Sequence, residues 1–448
     1  MNRRILVLVV GLWTSLGFIS CGSSPPKNPP SGLKNRVLAS QGVTSTFTFG
    51  ALVILNGSND TIPANSRLSA GSSPGLMAIT PSRNIAAAFD SLTNTVYAVD
   101  TTKEAAIGNV RLGGATSSMA LPTSNPIGYA AVPTATVNGF SFLGAVEEMN
   151  FAGGGLVTTM AVTNAETVIA NSGGSQLLVF SNDSDSVTVL SPGSAVPPVD
   201  VSCFTNPPNA VCSVVTEPQG SRPVYAIING STAYILNCGF QCHGTTISGA
   251  PAPASVAVLD LPSLTITSTI PVEAATMALL NGSTLYVAGT PPTNNDCTGQ
   301  VWGTPPQPTA AKVCGRLDIV DLNSGTVTGN AKITDGYHDR MDMTTNGQIF
   351  IGSHTCTNIG NVSNPTGEVR GCLSIYRTSN GSVLIPPDNG DVNAFQGFTS
   401  RDVEYVAEGG LLRVYDTTLD ILLINNFVPQ GTINVVGYVG DVKAIDFF

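Results

Sequence analysis

The segment that decides the fold is Ala278-Leu279-Leu280-Asn281-Gly282-Ser283-Thr284-Leu285-Tyr286-Val287. It consists of two short apolar runs on either side of an Asn-Gly pair. Because Asn and Gly tolerate the positive φ angles of a type I′ turn, the pattern predicts a β-hairpin. Similar hairpins are predicted at residues 226–235 and 343–351. The chain is therefore expected to repeat one β-rich unit.

A second kind of strand follows the hairpins and ends in Asp. Its clearest copies are residues 95–100, 255–260, 316–321 and 411–416, which read V-x-V-x-D or a close variant. Degenerate or partial copies begin near residues 52, 140, 178 and 373. The shorter intervals between successive copies are 38–44 residues, which matches one blade of a β-propeller.

The repeat also resembles a known family. Leu285-Tyr286-Val287-Ala288 followed by a V-x-V-x-D strand resembles the YVTN/NHL-type propeller repeats of bacterial surface and periplasmic proteins, over about residues 50–448. The resemblance implies an all-β propeller and says little about function.

The two ends of the repeat region complement each other. Residues 51–55 form a partial copy of the second kind of strand with no hairpin before it, and residues 433–438 and 442–446 form a hairpin with no such strand after it. We therefore predict an all-β propeller in which N- and C-terminal strands share one closing blade, so that no sheet edge is left open. The unit count predicts eight blades. Seven is the alternative, because the unit near residue 140 is degenerate.

Composition excludes several classes of protein. The 448 residues include 19 Lys+Arg and 29 Asp+Glu, for a net charge of −10, and only 11% of residues are charged. A hydrophobic content of 42% argues against disorder. The acidic balance argues against a nucleic-acid partner.

The N-terminus predicts export and lipidation. Arg3 and Arg4 precede an apolar stretch over residues 5–18, which is too short to span a bilayer. Phe18-Ile19-Ser20-Cys21 resembles the bacterial lipobox, which implies a lipidated Cys21. The alternative is an ordinary signal peptide. By resemblance to enterobacterial sorting, a Gly rather than an Asp after Cys21 implies the outer membrane.

The predicted organisation has three parts. Residues 1–20 form a lipoprotein signal peptide, and residues 21–34 form the lipidated Cys and a flexible Gly/Ser/Pro-rich tether. Residues 35–448 form a single propeller with inserted loops. The expected location is the bacterial cell envelope, with the membrane as a partner through the lipid anchor.

The eight remaining cysteines predict disulfides between sequence neighbours. The expected pairs are Cys203–Cys212, Cys238–Cys242, Cys297–Cys314 and Cys356–Cys372. All four lie in the longer intervals between repeats, where an inserted loop gains most from a covalent link. The alternative, metal binding by cysteine clusters, lacks the usual paired C-x₂-C spacing.

One cysteine pair has a second interpretation. Cys238, Cys242 and His243 form C-x₃-C-H, one residue longer than the C-x₂-C-H motif that attaches c-type haem. A small disulfide hairpin beside an unrelated histidine is the preferred interpretation, so no cofactor is expected, and covalent haem at these residues is the alternative.

The densest ionisable cluster is the candidate site. His338, Asp339, Arg340 and Asp342 lie on a predicted inner strand, and Arg401 lies one unit later. Inner strands line the central channel of a propeller, so we expect a channel site there. The alternative is a set of solvated loop residues with a structural salt bridge. With only three histidines in the chain, neither a catalytic triad nor a metal site is expected.

These features lead to a functional expectation. We expect a lipid-anchored, non-catalytic binding or scaffolding module, monomeric, with an unidentified protein or small-molecule ligand. The alternative is a propeller enzyme, either lactonase-like or a cofactor-dependent oxidoreductase, with its site at the channel. The fold alone does not decide between them.

Overall fold

The chain is described by a computed structural model over residues 29–137, 139–182, 184–192, 201–202, 212–242, 252–293, 313–356, 372–386, 390–417, 431–433, 435 and 437–446. Within these ranges the protein is all β, apart from two single 3₁₀ turns at Gly239–Gln241 and Thr399–Arg401. No helix in this part of the chain is long and apolar enough to cross a membrane.

Strands β1 (Arg36–Gly42), β2 (Ala51–Asn56) and β3 (Arg67–Leu68) come first. Seven sheets then follow, each written from its inner to its outer strand. Blade 1 contains β4 (Pro74–Ile79), β5 (Ile85–Asp90), β6 (Thr95–Asp100) and β7 (Ala105–Arg111). Blade 2 contains β8 (Ser118–Ala120), β9 (Ile127–Val132), β12 (Ala145–Asn150) and β13 (Gly155–Ala161). The hairpin β10 (Ala135–Val137) and β11 (Phe140–Phe142) is inserted between β9 and β12.

Blade 3 contains β14 (Ala165–Ala170), β15 (Leu177–Ser181), β16 (Ser186–Leu190) and β18 (Cys212–Thr216), and β17 (Val201–Ser202) pairs in parallel with the outer strand of blade 2. Blade 4 contains β19 (Pro223–Asn229), β20 (Thr232–Asn237), β21 (Ser255–Asp260) and β22 (Thr265–Pro271). Blade 5 contains β23 (Met277–Asn281), β24 (Thr284–Gly289), β25 (Gly315–Asp321) and β26 (Thr326–Ile333).

Blade 6 contains β27 (Tyr337–Met343), β28 (Gln348–His354), β29 (Leu373–Arg377) and β30 (Val383–Leu384). Blade 7 contains β31 (Val392–Phe398), β32 (Val403–Glu408), β33 (Leu411–Asp416) and β34 (Gly431–Ile433). The last strand is β35 (Tyr438–Ala444).

The closing blade joins the two ends of the chain. Its order is β3-β2-β1-β35, so the C-terminal strand is innermost and pairs with β1 from Val37↔Ala444 to Gly42↔Tyr438. This confirms the shared blade and the count of eight. The inner strands β35, β4, β8, β14, β19, β23, β27 and β31 contact their neighbours all the way round.

The predicted division of the closing blade is wrong. Three of its strands come from the N-terminus and one from the C-terminus, and β1 separates residues 51–55 from β35. Ile433, predicted to begin the terminal hairpin, instead ends the outer strand of blade 7, and residues 438–444 form the single strand β35. The sequence of β1 hides it, because Arg36, Ser40 and Gln41 interrupt the apolar pattern although all three are buried.

Two predicted copies of the second kind of strand, near residues 140 and 178, are also wrong. Phe140–Phe142 belongs to the inserted hairpin, and the third strand of blade 2 is β12, where Glu147 and Glu148 break the apolar pattern. Glu147 is fully buried because its carboxylate accepts hydrogen bonds from the Gly113 amide. In blade 3, residues 177–181 form the second strand.

The hydrophobic core lies between the blades. Eight clusters of buried side chains each fill the space between two adjacent sheets. Alternate residues of one strand serve different clusters. In β2, Val53 packs against blade 7, whereas Leu52 and Ile54 pack against blade 1. Because both faces of most strands are covered, the third strands carry nearly continuous apolar runs.

The meander of each blade gives the ring two distinct faces. One face of the ring carries the starts of the inner strands and the loops between second and third strands. We call it the mouth face. The turns from first to second and from third to fourth strands lie on the opposite face. Asp100, Asp260, Asp321 and Asp416, which end the V-x-V-x-D strands, therefore all lie on the opposite face.

Candidate functional site at the channel mouth

The site begins at the first residues of the inner strand of blade 6. This strand reads Tyr-His-Asp-Arg-Met-Asp-Met from residue 337, and its pairing with β28 shifts register between His338 and Arg340. The irregularity adds a residue and redirects the side chains around it. Asp339 and Arg340 consequently lie together at the mouth, with Arg340 Nη1 3.2 Å from Asp339 Oδ2.

A histidine that ends the neighbouring strand completes a charged group. His354 Nε2 lies 3.1 Å from Asp339 Oδ1, and His354 Nδ1 lies 3.6 Å from Asp391 Oδ2. The Thr355 amide donates to Asp391 Oδ1 over 2.7 Å and so fixes that carboxylate. The ion pair with Asp339 raises the pKa of His354 despite its partial burial, and Asp391 adds to this effect. We call Asp339, Arg340, His354 and Asp391 the mouth cluster.

Arg340 connects the cluster to neighbouring blades. Its Nε donates to the Asn393 carbonyl of blade 7 over 2.8 Å, and its Nη1 donates to its neighbour's carbonyl, that of Asp339, over 2.8 Å. Burial raises the pKa of Tyr225, on the inner strand of blade 4, and the charge of Arg340 opposes that rise. Arg340 therefore joins blades 6 and 7 at the rim.

Tyr337 lies at the start of the same strand and is 37% exposed. Burial of its hydroxyl, together with the negative charges of Asp339 and of Glu166 in blade 3, raises its pKa to about 12. It therefore stays a neutral hydrogen-bonding group at physiological pH. Residues from blades 3, 4, 6 and 7 thus converge on one mouth.

His338 is not in the channel. Its side chain is fully buried beside blade 5, where Nε2 donates to the Thr334 carbonyl over 3.0 Å and the ring lies against Gly315. Burial lowers its pKa to about 4. Strand alternation explains the location, because the side chain points into the packing between blades while its neighbours face the mouth.

Asp342 and Arg401 are also separate from the mouth cluster. Asp342 accepts from the Gly397 amide over 3.0 Å and links blades 6 and 7. Beside it, burial and the Asp342 charge raise the pKa of the fully buried Glu404 well above its ordinary value. Arg401 lies on the opposite face and forms a two-pronged ion pair with Asp60, at 2.6 and 2.8 Å.

Two of the predicted disulfides lie on the mouth face. Cys238–Cys242 and Cys356–Cys372 are both at bonding distance and both lie between second and third strands. Cys372 Sγ is 3.9 Å from Asp391 Oδ1, so this disulfide borders the mouth cluster. Cys212 and Cys314 are disulfide-bonded. Because Cys203 and Cys297 lie outside the described residues, their pairings stay predictions.

The alternative of covalent haem rests on three residues. In the structure the sulfurs of Cys238 and Cys242 are bonded to each other, as in a small disulfide hairpin. His243 lies outside the described residues, as do Cys21 and residues 1–28. Among the described residues, no group of three or more His, Cys, Asp or Glu side chains is arranged to hold a metal ion.

Among the described residues, a smaller and a larger cavity lie near the mouth face. The smaller, of about 30 Å³, is lined by Glu166, Arg222 and Tyr337 and has room for water only. The larger, of about 580 Å³, lies between blades 4 and 5. There Arg316 Nε pairs with Glu273 Oε2 at 2.9 Å, and Lys332 adds a second cation to the lining.

The pKa values of the two described histidines should be shifted in opposite directions. His338 should stay neutral down to a pH near 4, whereas His354 should stay protonated above pH 6.5. The unfolded chain protonates His338 near pH 6.5, so this residue lowers stability progressively between pH 6.5 and 4, by up to about 3 kcal/mol. His354 instead adds stability below pH 6.5, which is lost as the pH rises through its folded pKa.

Imidazole NMR titration checks this, with His338→Gln and His354→Gln to assign the signals. Two superimposable titrations near pH 6.5 would contradict the described environments of both rings.

Comparisons with known proteins bear on the fold. No family model and no curated protein matches the chain. The dihydro-heme d1 dehydrogenase NirN in complex with DHE matches over 94% of this chain and 79% of its own, at 11% identity and a TM-score of 0.57. The Dos1 propeller matches over 82% and 86%, at 11% identity and a TM-score of 0.54. The computationally designed Ika8 protein matches over 86% and 98%, at 9% identity and a TM-score of 0.51. At such identities the chain is similar to these structures in fold alone, and that fold is a β-propeller.

Proposed function

We propose that this protein is a lipid-anchored β-propeller of the bacterial envelope, of the YVTN/NHL type, that binds a small polar ligand at the channel mouth without catalysis. The observation that carries this proposal is the position of His354. Both of its ring nitrogens face carboxylates, at 3.1 Å from Asp339 and 3.6 Å from Asp391.

A histidine held in this way is a poor general base. A base needs a free nitrogen within hydrogen-bond reach of the proton that it removes. The raised pKa of His354 also favours the doubly protonated ring, which donates at both nitrogens and accepts at neither. Its role is then that of a positive link between Asp339 and Asp391, which holds the rim of blades 6 and 7 in place.

The remaining groups at the mouth suit recognition. The Arg340 side chain is 35% exposed and offers a cation to an anionic group. Tyr337, which is 37% exposed, adds an aromatic ring at the same rim. Aromatic rings beside carboxylates and a guanidinium are well suited to a sugar acid or a similar hydroxylated carboxylate.

An enzyme with its site at the mouth is the second candidate. The pairing of Asp339 with His354 favours it, since a carboxylate that orients a histidine is a common element of acid–base catalysis. NirN, one of the similar structures, is described as a dehydrogenase. Its likeness to this chain extends to the fold only.

Thermal shift with galacturonate and gluconate tests the ligand proposal. Either sugar acid should raise the melting temperature of the wild-type protein by a few degrees, because a ligand that binds only the folded state stabilises it by mass action. Arg340→Gln should abolish the shift. Lys103→Gln is the matched control, since Lys103 is an exposed cation on the opposite face. Failure of both probes, or an equal shift in Arg340→Gln, would reject the sugar-acid site. Lactone hydrolysis that disappears in His354→Gln would favour the enzyme.

The anchor has its own test. Cys21→Ala should move the protein from the membrane fraction to the soluble periplasmic fraction, since it removes the only residue that the lipobox-like segment can offer for acylation. Fractionation and labelling with a radioactive fatty acid measure the change. Continued membrane association without label would show that something other than Cys21 holds the protein there.

A further inference from the structure

Large apolar side chains are exposed mainly on one face of the ring. Six of the nine exposed large hydrophobic residues among the described positions lie on the mouth face, and the other three lie on outer strands. The six are Phe49, Leu92, Leu143, Tyr337, Leu411 and Tyr438. No member of the nine lies on the opposite face. An exposed apolar residue is ordinary on its own, but a one-sided collection marks an interaction surface.

Five of the six lie on consecutive blades of the ring. Leu411 lies on blade 7, Phe49 and Tyr438 on the closing blade, Leu92 on blade 1 and Leu143 on blade 2. These four blades are consecutive around the ring, and we call the five residues the apolar arc. The tips project strongly, with exposed fractions of 76% for Phe49, 63% for Leu92 and 77% for Leu143.

The loops that carry the apolar arc are uncharged. Residues 43–50, 91–94, 133–144 and 409–410 contain no Asp, Glu, Lys or Arg. The opposite face differs sharply, because the turn after β6 alone combines Asp100, Lys103 and Glu104. The charged residues of the chain therefore lie outside these four loops.

We propose that the apolar arc is the surface through which two copies of this chain associate. A two-fold contact uses the same patch on both partners, and an apolar patch is complementary to itself. Elsewhere two copies with a net charge of −10 repel each other, whereas the arc lets them meet without like charges in contact. This departs from the monomer expected from the sequence and is independent of the ligand proposed for the mouth.

A lipid bilayer fits the arc less well. Protein surfaces that insert apolar tips into bacterial membranes usually combine them with Lys or Arg, which pair with anionic headgroups. The loops of the arc have no such residue. The chain enters the propeller on the opposite face, where β1 begins at Arg36.

The arc borders the mouth through one side chain. The ring of Tyr438 lies against Gly410, where a Cβ atom would meet it at 2.6 Å, and its hydroxyl accepts from Asn393 Nδ2 over 2.8 Å. The Asn393 carbonyl in turn accepts from Arg340. Association through the arc would therefore bring the mouths of the two copies close together.

Sedimentation velocity of the full chain carrying Cys21→Ser tests the proposed dimer. Protein concentrations from about 1 to about 100 µM cover the dissociation constants of weak contacts of standard size. We expect a concentration-dependent dimer. Phe49→Glu with Leu143→Glu should weaken it at least about tenfold, because each copy would bury two new carboxylates. These positions are so exposed that the folded monomer should melt unchanged.

Val157→Glu with Val214→Glu is the matched control, because these residues are 41% and 43% exposed on outer strands outside the arc. It should leave the dimer intact. A monomer across the whole concentration range, or equal weakening by both double variants, would overturn the proposal. If the wild-type monomer floated with phosphatidylglycerol vesicles and the variant with Phe49→Glu and Leu143→Glu did not, the apolar arc would be a membrane-binding surface instead of a dimer interface.

Discussion

Deletion of residues 437–448 should abolish the folded propeller instead of shortening it. The deletion removes β35, the innermost strand of the closing blade and a neighbour of the inner strands of blades 1 and 7. It exposes the ladder edge of β1 and opens the ring at its centre. The burial of Val439, Val442 and Ile445 is lost as well, at about 1.5–3 kcal/mol for each side chain.

This loss is comparable with the whole stability of an ordinary domain, about 5–15 kcal/mol. A specific inter-blade contact disappears too, since the buried Asp441 accepts from the Met77 amide of blade 1 over 2.7 Å. The truncated chain should aggregate or lose its cooperative melting transition, as followed by circular dichroism and light scattering. An open repeat array would instead lose stability in proportion to the strands removed.

A peptide of residues 437–448, added to freshly refolded truncated chain, is the internal control. It should restore a cooperative transition, because the missing strand can enter the closing blade from outside. A truncated chain that remains soluble and melts within a few degrees of the intact one would show that closure is unimportant for stability.

Arg36→Met should destabilise the protein more than any other single substitution of a charged residue on the opposite face. Arg36 Nη2 and Nε donate to the two carboxylate oxygens of Asp446, at 2.6 and 2.9 Å, and Nη1 donates to Glu104 at 2.9 Å. One side chain thus joins the second strand of the closing blade, the C-terminal segment and blade 1. The side chains of Arg36 and Glu104 are each 5% exposed.

Removal of the cation breaks the ion pair with Glu104 and the two-pronged pair with Asp446. Breaking a buried ion pair in this way costs about 3–5 kcal/mol. Urea unfolding measures the change in the free energy of unfolding. Lys103→Met is the matched control, because Lys103 pairs with Asp100 at 2.7 Å but is 77% exposed, and exposed pairs contribute at most about 1 kcal/mol. Equal effects of the two substitutions would show that the Arg36 network contributes nothing special to closure.

Repetition made most of the fold predictable. The Asn281-Gly282 hairpin and the Arg316–Asp321 strand occupy neighbouring positions in blade 5, as the alternating pattern predicted. Alternation is a local property, because successive side chains of a strand point to opposite sides. The prediction of strands from this alternation failed where a buried polar residue forms hydrogen bonds with a distant part of the chain. Arg36 in β1 and Glu147 in β12 are both buried and hydrogen-bonded to loop residues outside their own blades, Thr101 and Gly113.

The candidate site was predicted only in part. Asp339 and Arg340 lie at the mouth, but the histidine that pairs with Asp339 is His354 and not the adjacent His338. No local signal identifies His354 or Asp391, which are separated by the whole of blade 6's outer half. Their positions in the fold are nevertheless similar. His354 ends β28 and Asp391 immediately precedes β31, both on the mouth face.

By itself, the sequence determined the repeat, the β class, the eight units and the closed ring, because each of these follows from short-range patterns that recur along the chain. Only the tertiary structure decided that the N-terminal segment supplies three strands of the closing blade and the C-terminal segment supplies one. It also decided that His338 is buried while His354 faces the mouth, and that Phe49, Leu92 and Leu143 share one face. The reason is that these properties depend on which residues of distant repeats become neighbours when the ring closes. Alternation along a single strand carries no information about the side chains that lie opposite it.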